Sequence, residues 1–235
     1  LREHMPQSAR IHYAITDAGG FSPNVVQPHA EVLYLIRAPR SAQVKELYER
    51  VNDIARGAAL MTGTTVEIDF VKACSDTILN DTLQRVLYEK MAQIGVPEIT
   101  EADEAFAREL TETALMEYPK ADPVHPIHDE LLPYTGQIEY ECGSTDVGDV
   151  SWVCPTAQIS AVTMAAGTPG HSWQLVAQGK SSIAHKGTLY AGKVLAGTAV
   201  DLIHHPEWIE AAKEELRDRL DGGHYIPPIP AGVKP

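Results

Sequence analysis

Hydrophobic and polar positions alternate with period two over residues 10–16. Ile11, Tyr13 and Ile15 are separated there by polar or small residues, which predicts a strand. Gly19-Gly20 and Ser22-Pro23-Asn24 break it, and the β-former-rich run 30–37 predicts a second strand. After Pro39 the period becomes helical. Val44, Leu47, Tyr48, Val51, Ile54 and Ala55 mark an amphipathic helix with Ser41 as N-cap and Gly63 as its stop. Residues 64–71 (TTVEIDFV) return to a strand pattern. Strand, strand, helix, strand predicts a helix-backed antiparallel sheet over residues 1–77. Leu1-Arg2-Glu3-His4, stopped by Pro6, reads as the last turn of a helix whose body is missing, so the chain is expected to be a fragment.

Beyond residue 77 the pattern turns helical. Asn80 or Asp81 caps a helix containing Leu83, Val86, Leu87 and Met91. A second helix covers 100–116, with acidic residues in its first turn where the macrodipole favours them. Residues 118–132, rich in Pro and His, form a loop, and 159–165 form a short buried strand. A helix spans 181–204 with Ile183, Leu189, Val194, Leu195, Ala199 and Leu202 on its apolar side. The charged segment 207–220 reads as an exposed helix stopped by Gly222-Gly223.

Composition narrows the function classes. The 235 residues carry 19 Lys+Arg against 32 Asp+Glu, a net charge of −13, which argues against nucleic acid or an anionic membrane as partner. No run approaches the roughly 18–20 apolar residues of a membrane span. The start lacks the order of a signal peptide. Cys74, Cys142 and Cys154 are an odd, widely spaced set, which suits a reducing cytoplasm.

Most of the ten histidines read as structural or solvated: His204-His205 at a helix end, His125 and His128 in the Pro-rich loop, His185 at a helix start. Neither HExxH nor CxxC occurs. Two segments remain. CGSTDVGD (142–149) gathers small residues, a hydroxyl and carboxylates, and reads either as an ordinary Gly/Asp turn or as a backbone cradle for an anionic group. GTPGHS (167–172) follows the buried strand and presents His171 just before a helix, where α/β folds place ligands.

HYAITDAGGFSPNVVQPHAEVLYLIRAP (12–39), GSTDVGDVSW (143–152), GTPGHSWQ (167–174) and GGHYIPPIP (222–230) together resemble the zinc aminoacylase and carboxypeptidase G family of metal-dependent amidohydrolases. Within it, the likeness is to the branch of p-aminobenzoyl-glutamate hydrolase B subunits, and it runs over essentially the whole chain. The resemblance implies a two-domain metallohydrolase: an α/β catalytic domain holding two divalent metals, Zn or Mn, and an inserted α+β lid that dimerises. Residues 1–77 would be the second half of the lid, a helix-backed antiparallel sheet, and 78–235 the C-terminal portion of the catalytic domain.

The same resemblance implies roles for single residues. His171, in a Gly-rich loop before Ser172, matches the last metal ligand. Gly143, Ser144, Thr145 and Asp146 match the loop lining the substrate pocket. Asn24, before a strand, and Arg37, at that strand's end, match the lid's substrate-binding pair; Arg37 is alternatively a structural charge beside Pro39. The strand between them spans roughly 26 Å, so the two need not share a pocket. Asn24 is the residue expected to reach the partner subunit's site. The remaining ligands and the general-base Glu match no segment here, so no catalytic residue is expected in this chain and none of its cysteines is a ligand. The expected activity is cleavage of the amide bond of an N-acyl or N-aroyl amino acid, an aroyl-glutamate among them, with the fragment inactive alone. Expected partners are the small-molecule substrate, a second copy through the lid, and a second chain carrying the missing part. The alternative is a non-catalytic binding or assembly fragment.

Overall fold

The alternation at 10–16 forms β1 (Arg10–Asp17) and the β-rich run forms β2 (Glu31–Arg37), in a computed structural model that describes residues 1–114, 124–138 and 143–233. The two strands pair antiparallel, with Arg10 opposite Arg37 and Tyr13 opposite Tyr34. Opposed residues share a face, so Ile11, Tyr13 and Ile15 lie beside Ile36, Tyr34 and Val32, with the two tyrosine rings 6.1 Å apart. Tyr13 is 69% exposed and Ile15 64%, because two strands are too few to bury both of their faces. Cys142, the end of the helix expected over 100–116 and the first part of the loop expected over 118–132 lie outside the described residues.

Helix α1 (Ser41–Thr62) comes after β2 and stops at Gly63, as its pattern predicts. Its N-cap is Arg40 rather than Ser41. The Ser41 hydroxyl instead donates to the Asp76 carboxylate at 2.5 Å, so a long-range acceptor outcompetes the local cap. Residues 64–71 do not enter a β-ladder among the described residues. Alternation suits a strand, but a ladder also needs a neighbour. Here only Phe70 finds a ring partner, edge-on to Tyr48 at 5.7 Å.

Five more helices, α2 (Asp81–Ile94), α3 (Glu101–Ala114), α5 (Trp173–Gln178), α6 (Ser182–His204) and α7 (Pro206–Leu220), accompany the short α4 (Val147–Ser151). The described chain is therefore α+β. It divides into two units. One holds Leu1–Thr77 with the described residues of 139–153 and 224–235; the other holds residues 78–138 and 154–223.

In the second unit Leu87, Tyr190 and Val194 form one core cluster with Ile159 and Ala161; Ala107, Ile127, Ala165 and Ile183 form another with Val162. Residues 159–165, expected as a short buried strand, pack partly buried against these clusters with only Ala165 fully buried, and among the described residues they pair with no strand. Helix α6 lies directly on this segment. A Cβ at Gly187 would stand 1.9 Å from the Val162 carbonyl oxygen, so only glycine permits the approach.

Asn80 caps α2, its side chain accepting from the Leu83 N–H at 2.9 Å. Helix α7 is less exposed than its charge suggests, with Ala212 and Leu216 buried. Its Glu215 accepts from the Asp81 and Thr82 N–H groups, both at 2.8 Å, and pairs with Arg219. Burial pushes the Glu215 carboxyl up, but the Thr82 and Asp81 N–H groups outweigh it and leave the carboxyl below its ordinary value. Glu215→Ala is expected to cost about 1–2 kcal/mol by exposing two helix N-terminal donors. Glu215→Gln, which keeps one acceptor oxygen, is expected to cost less. Urea midpoints of the two variants check the order, and equal midpoints would contradict it.

Candidate active-site elements

Arg37 ends β2 and donates from Nη2 to the Ser144 hydroxyl at 3.3 Å, across 107 positions of sequence. Two residues matched separately to a substrate-binding role therefore meet within the first unit. Asn24 lies in the exposed turn where the Val25 N–H donates to the Ser22 carbonyl. That turn joins the strands at the end opposite Arg37. The seven residues of β2 alone separate the two by about 20 Å, so Asn24 and Arg37 do not share a pocket through the hairpin.

The loop 143–146 is anchored by the residues on its C-terminal side. Thr145 accepts from the Val147 N–H at 3.3 Å, which turns the chain into α4. The Asp149 carboxylate on α4 accepts from the Ser75 hydroxyl at 2.6 Å, the Ser75 N–H at 3.2 Å and the Tyr225 hydroxyl at 3.0 Å. A Cβ at Gly148 would come within 2.1 Å of the Ser75 carbonyl oxygen, so that glycine is required for the approach. Trp152 Nε1 donates to the Asp76 carbonyl at 2.8 Å, and the Asp76 carboxylate in turn accepts from Ser41 and faces Arg40 at 3.6 Å. Burial, and then the neighbouring Asp149 carboxylate, push the Tyr225 hydroxyl above its ordinary value.

Sequence reasoning assigned none of this clamp to Ser75, Asp76, Asp149 or Tyr225. Asp149 and Tyr225 did lie inside quoted motifs. Ser75 and Asp76 carried no local signal, because their partners are 74 and 35 positions away.

His171 belongs to the second unit. It is a non-glycine residue with φ of 57°, in the left-handed region, and it is exposed. Ser172 caps α5 by accepting from the Leu175 N–H at 3.2 Å and donates its hydroxyl to the Pro169 carbonyl at 2.7 Å. A surface imidazole on a pinned loop suits a single ligand position. Among the described residues no group of three or more His, Cys, Asp or Glu side chains could hold a metal ion.

His205 stacks on Trp208 at 4.2 Å and bonds Glu207 at 3.0 Å. Cys74 and Cys154 are exposed thiols. A cleft lined by Ile99, Glu104, Arg108, His125, Ile127 and Asp129 contains none of the predicted site residues. No helix of the described residues is long and apolar enough to cross a membrane.

Comparison with known proteins extends the motif resemblance to the whole chain. The sequence is 43% identical over 255 aligned positions to the B subunit of the p-aminobenzoyl-glutamate hydrolase of Escherichia coli (strain K12), covering 100% of this chain and 53% of that protein. It is 28% identical to the Xaa-Arg dipeptidase of Mus musculus and 27% to that of Homo sapiens, covering 94% and 96% of this chain and 43% and 44% of those proteins. The chain thus spans about half the length of the curated relatives it matches. No family model matches it.

Proposed function

We propose that this chain, similar over its whole length to a p-aminobenzoyl-glutamate hydrolase subunit and over most of it to dipeptidases, is the C-terminal portion of a metal-dependent amidohydrolase that cleaves the amide bond of an N-acyl or N-aroyl amino acid, aroyl-glutamates included. The observation that carries this reading is the 43% identity across the entire chain. The meeting of Arg37 with Ser144 supports it.

In this reading residues 1–77 are the second half of the lid and 78–235 the C-terminal part of the catalytic domain. Arg37 supplies a fixed positive charge for the substrate carboxylate, which the overall charge of −13 would otherwise repel. Gly143 lets the backbone approach the substrate, Ser144 and Thr145 offer hydroxyls, and Asp146 closes the loop's polar rim. Asn24 offers an amide donor to an oxyanion in the partner copy's site. His171 is one ligand of a Zn or Mn pair, and the other ligands and the general base come from the part of the relatives' length that this chain does not span. The metals, when bound, lower the pKa of a water and polarise the scissile carbonyl. The exposed apolar face around Tyr13, Ile15 and Tyr34 is the surface through which the lid pairs with a second copy.

The test compares the 235-residue chain with a polypeptide of the relatives' full length that includes it, each supplied with Zn or Mn and p-aminobenzoyl-glutamate or an acylated dipeptide. The chain alone is expected to hydrolyse nothing and to lose added metal to a weak chelator, whereas the longer polypeptide turns over. No hydrolysis of any N-acyl or N-aroyl amino acid by the longer polypeptide would favour a binding or assembly role. Stoichiometric metal retained by the chain alone would require a second local ligand, with Asp146, Asp149 and His185 the residues to mutate.

A further inference from the structure

Gln178 closes α5 and is 1% exposed, an uncommon place for an uncharged polar side chain of that size. Both ends of its amide are engaged. Its Oε1 accepts from the Ala165 N–H at 2.6 Å, and its Nε2 donates to the Thr168 hydroxyl at 2.9 Å and to the Gln174 carbonyl at 3.1 Å. Thr168 completes the ring, donating from its hydroxyl to the Ala165 carbonyl at 2.7 Å and from its N–H to the same oxygen at 3.2 Å. A buried network with its donors and acceptors paired is rigid, because each bond broken there leaves a polar group without water.

The geometry of this network has a direction. It ties the end of the buried segment, at Ala165, and the middle of the following turn, at Thr168, to the far end of α5. His171 lies inside the closed stretch. Its left-handed backbone is a conformation that non-glycine residues adopt at a cost, so surrounding bonds must hold it there. Ser172 secures the loop from one side through Pro169 and Leu175. Gln178 secures it from beneath.

We propose that Gln178 is a positioning residue, which locks the 165–172 loop and thereby fixes the left-handed presentation of His171 at the surface. This rests on the reading of His171 as a ligand, since outer residues that orient a ligating imidazole set how well it binds. The alternative is that Gln178 only satisfies a buried backbone and contributes stability to the unit as a whole.

Hydrogen exchange and NMR of the 235-residue chain separate the two. The His171 ring resonance is identified by its loss in His171→Gln. In Gln178→Leu the amides of Ala165, Ala166 and Thr168 are expected to exchange at least tenfold faster while those of α2 and α6 keep their rates, and the His171 resonance shifts. Gln178→Glu keeps an acceptor for Ala165 but loses the donor to Thr168, so Ala165 stays protected while the His171 resonance still moves. Thr168→Val removes the same link from the other side and gives the same local pattern, which keeps the test decisive if Gln178→Leu fails to fold. A uniform rise of exchange across α2, α5 and α6, or an unmoved His171 resonance in both Gln178→Glu and Thr168→Val, would overturn the proposal. The ligand reading fails separately: if His171→Ala leaves metal retention unchanged in the longer polypeptide, His171 is held in place but is not a ligand.

Discussion

Asn24→Ala and His171→Ala, each made in a polypeptide of the relatives' full length, are expected to be nearly inactive alone and to recover activity when mixed. Removing an amide donor to a developing oxyanion typically costs on the order of 10²–10³ in turnover. Loss of one ligand from a site built on three or four is expected to cost at least as much. The recovery depends on where Asn24 acts. In a mixed dimer, one site keeps its own His171 and receives an intact Asn24 from the other copy. Random subunit exchange makes half of the dimers mixed, each with one intact site, so about a quarter of wild-type turnover returns. The exposed turn that carries Asn24 leaves its side chain available for such a contact. Absence of recovery after exchange has been verified by mass would place Asn24 in its own chain's site or outside any site. The same pair tests His171 independently, because unchanged turnover in His171→Ala alone removes its ligand role.

Asp103→Ala is expected to cause a large loss of stability in the second unit. Asp103 is 3% exposed and accepts from Lys186 Nζ at 2.6 Å and from the Thr100 hydroxyl and N–H at 2.6 and 2.9 Å. These bonds tie α3 to α6 and cap the start of α3. The Lys186 ammonium first, and the Thr100 hydroxyl second, hold the Asp103 carboxyl far below the usual carboxylate range. A carboxyl whose pKa is depressed by folding adds stability above its unfolded value, 3.8 here, and loses it as pH falls through the folded value.

The variant should therefore lose on the order of 2–4 kcal/mol at neutral pH, moderated because Lys186 still reaches water. For a chain of this size that is a fall in Tm of roughly 5–15 °C. The gap between wild type and variant should close as pH drops below about 4, where the wild-type carboxylate begins to lose its stabilising advantage over the unfolded chain. Lys186→Met should behave alike, since acid also relieves the buried carboxylate it leaves behind. Urea melts at pH 7, 5 and 3 measure both, and a gap that stays constant with pH would refute the assignment to the ion pair.

Periodicity alone specified α6, because a helix satisfies its own backbone and needs only an apolar stripe, which Ile183 and Val194 supply. It also specified the hairpin of β1 and β2 and the end of α1 at Gly63. The motif strings located the segments of interest, since short-range chemistry such as GTPGHS is written in consecutive residues. Periodicity could not say whether 64–71 and 159–165 would find ladder partners, because a strand's hydrogen bonds are made by other segments. Nor could it foresee that Glu215 caps a helix 133 positions away, that Asp149 would bind Ser75 and Tyr225, or that Arg37 would meet Ser144. Gln178 is the clearest instance. In sequence it is one polar residue near a glycine, and only burial beneath Ala165 and Thr168 makes its amide the support of His171. Local patterns determined the long helices and the hairpin. The choice of partner for each buried donor and acceptor belonged to the tertiary structure, because such a group takes whichever complementary atom the fold brings within reach.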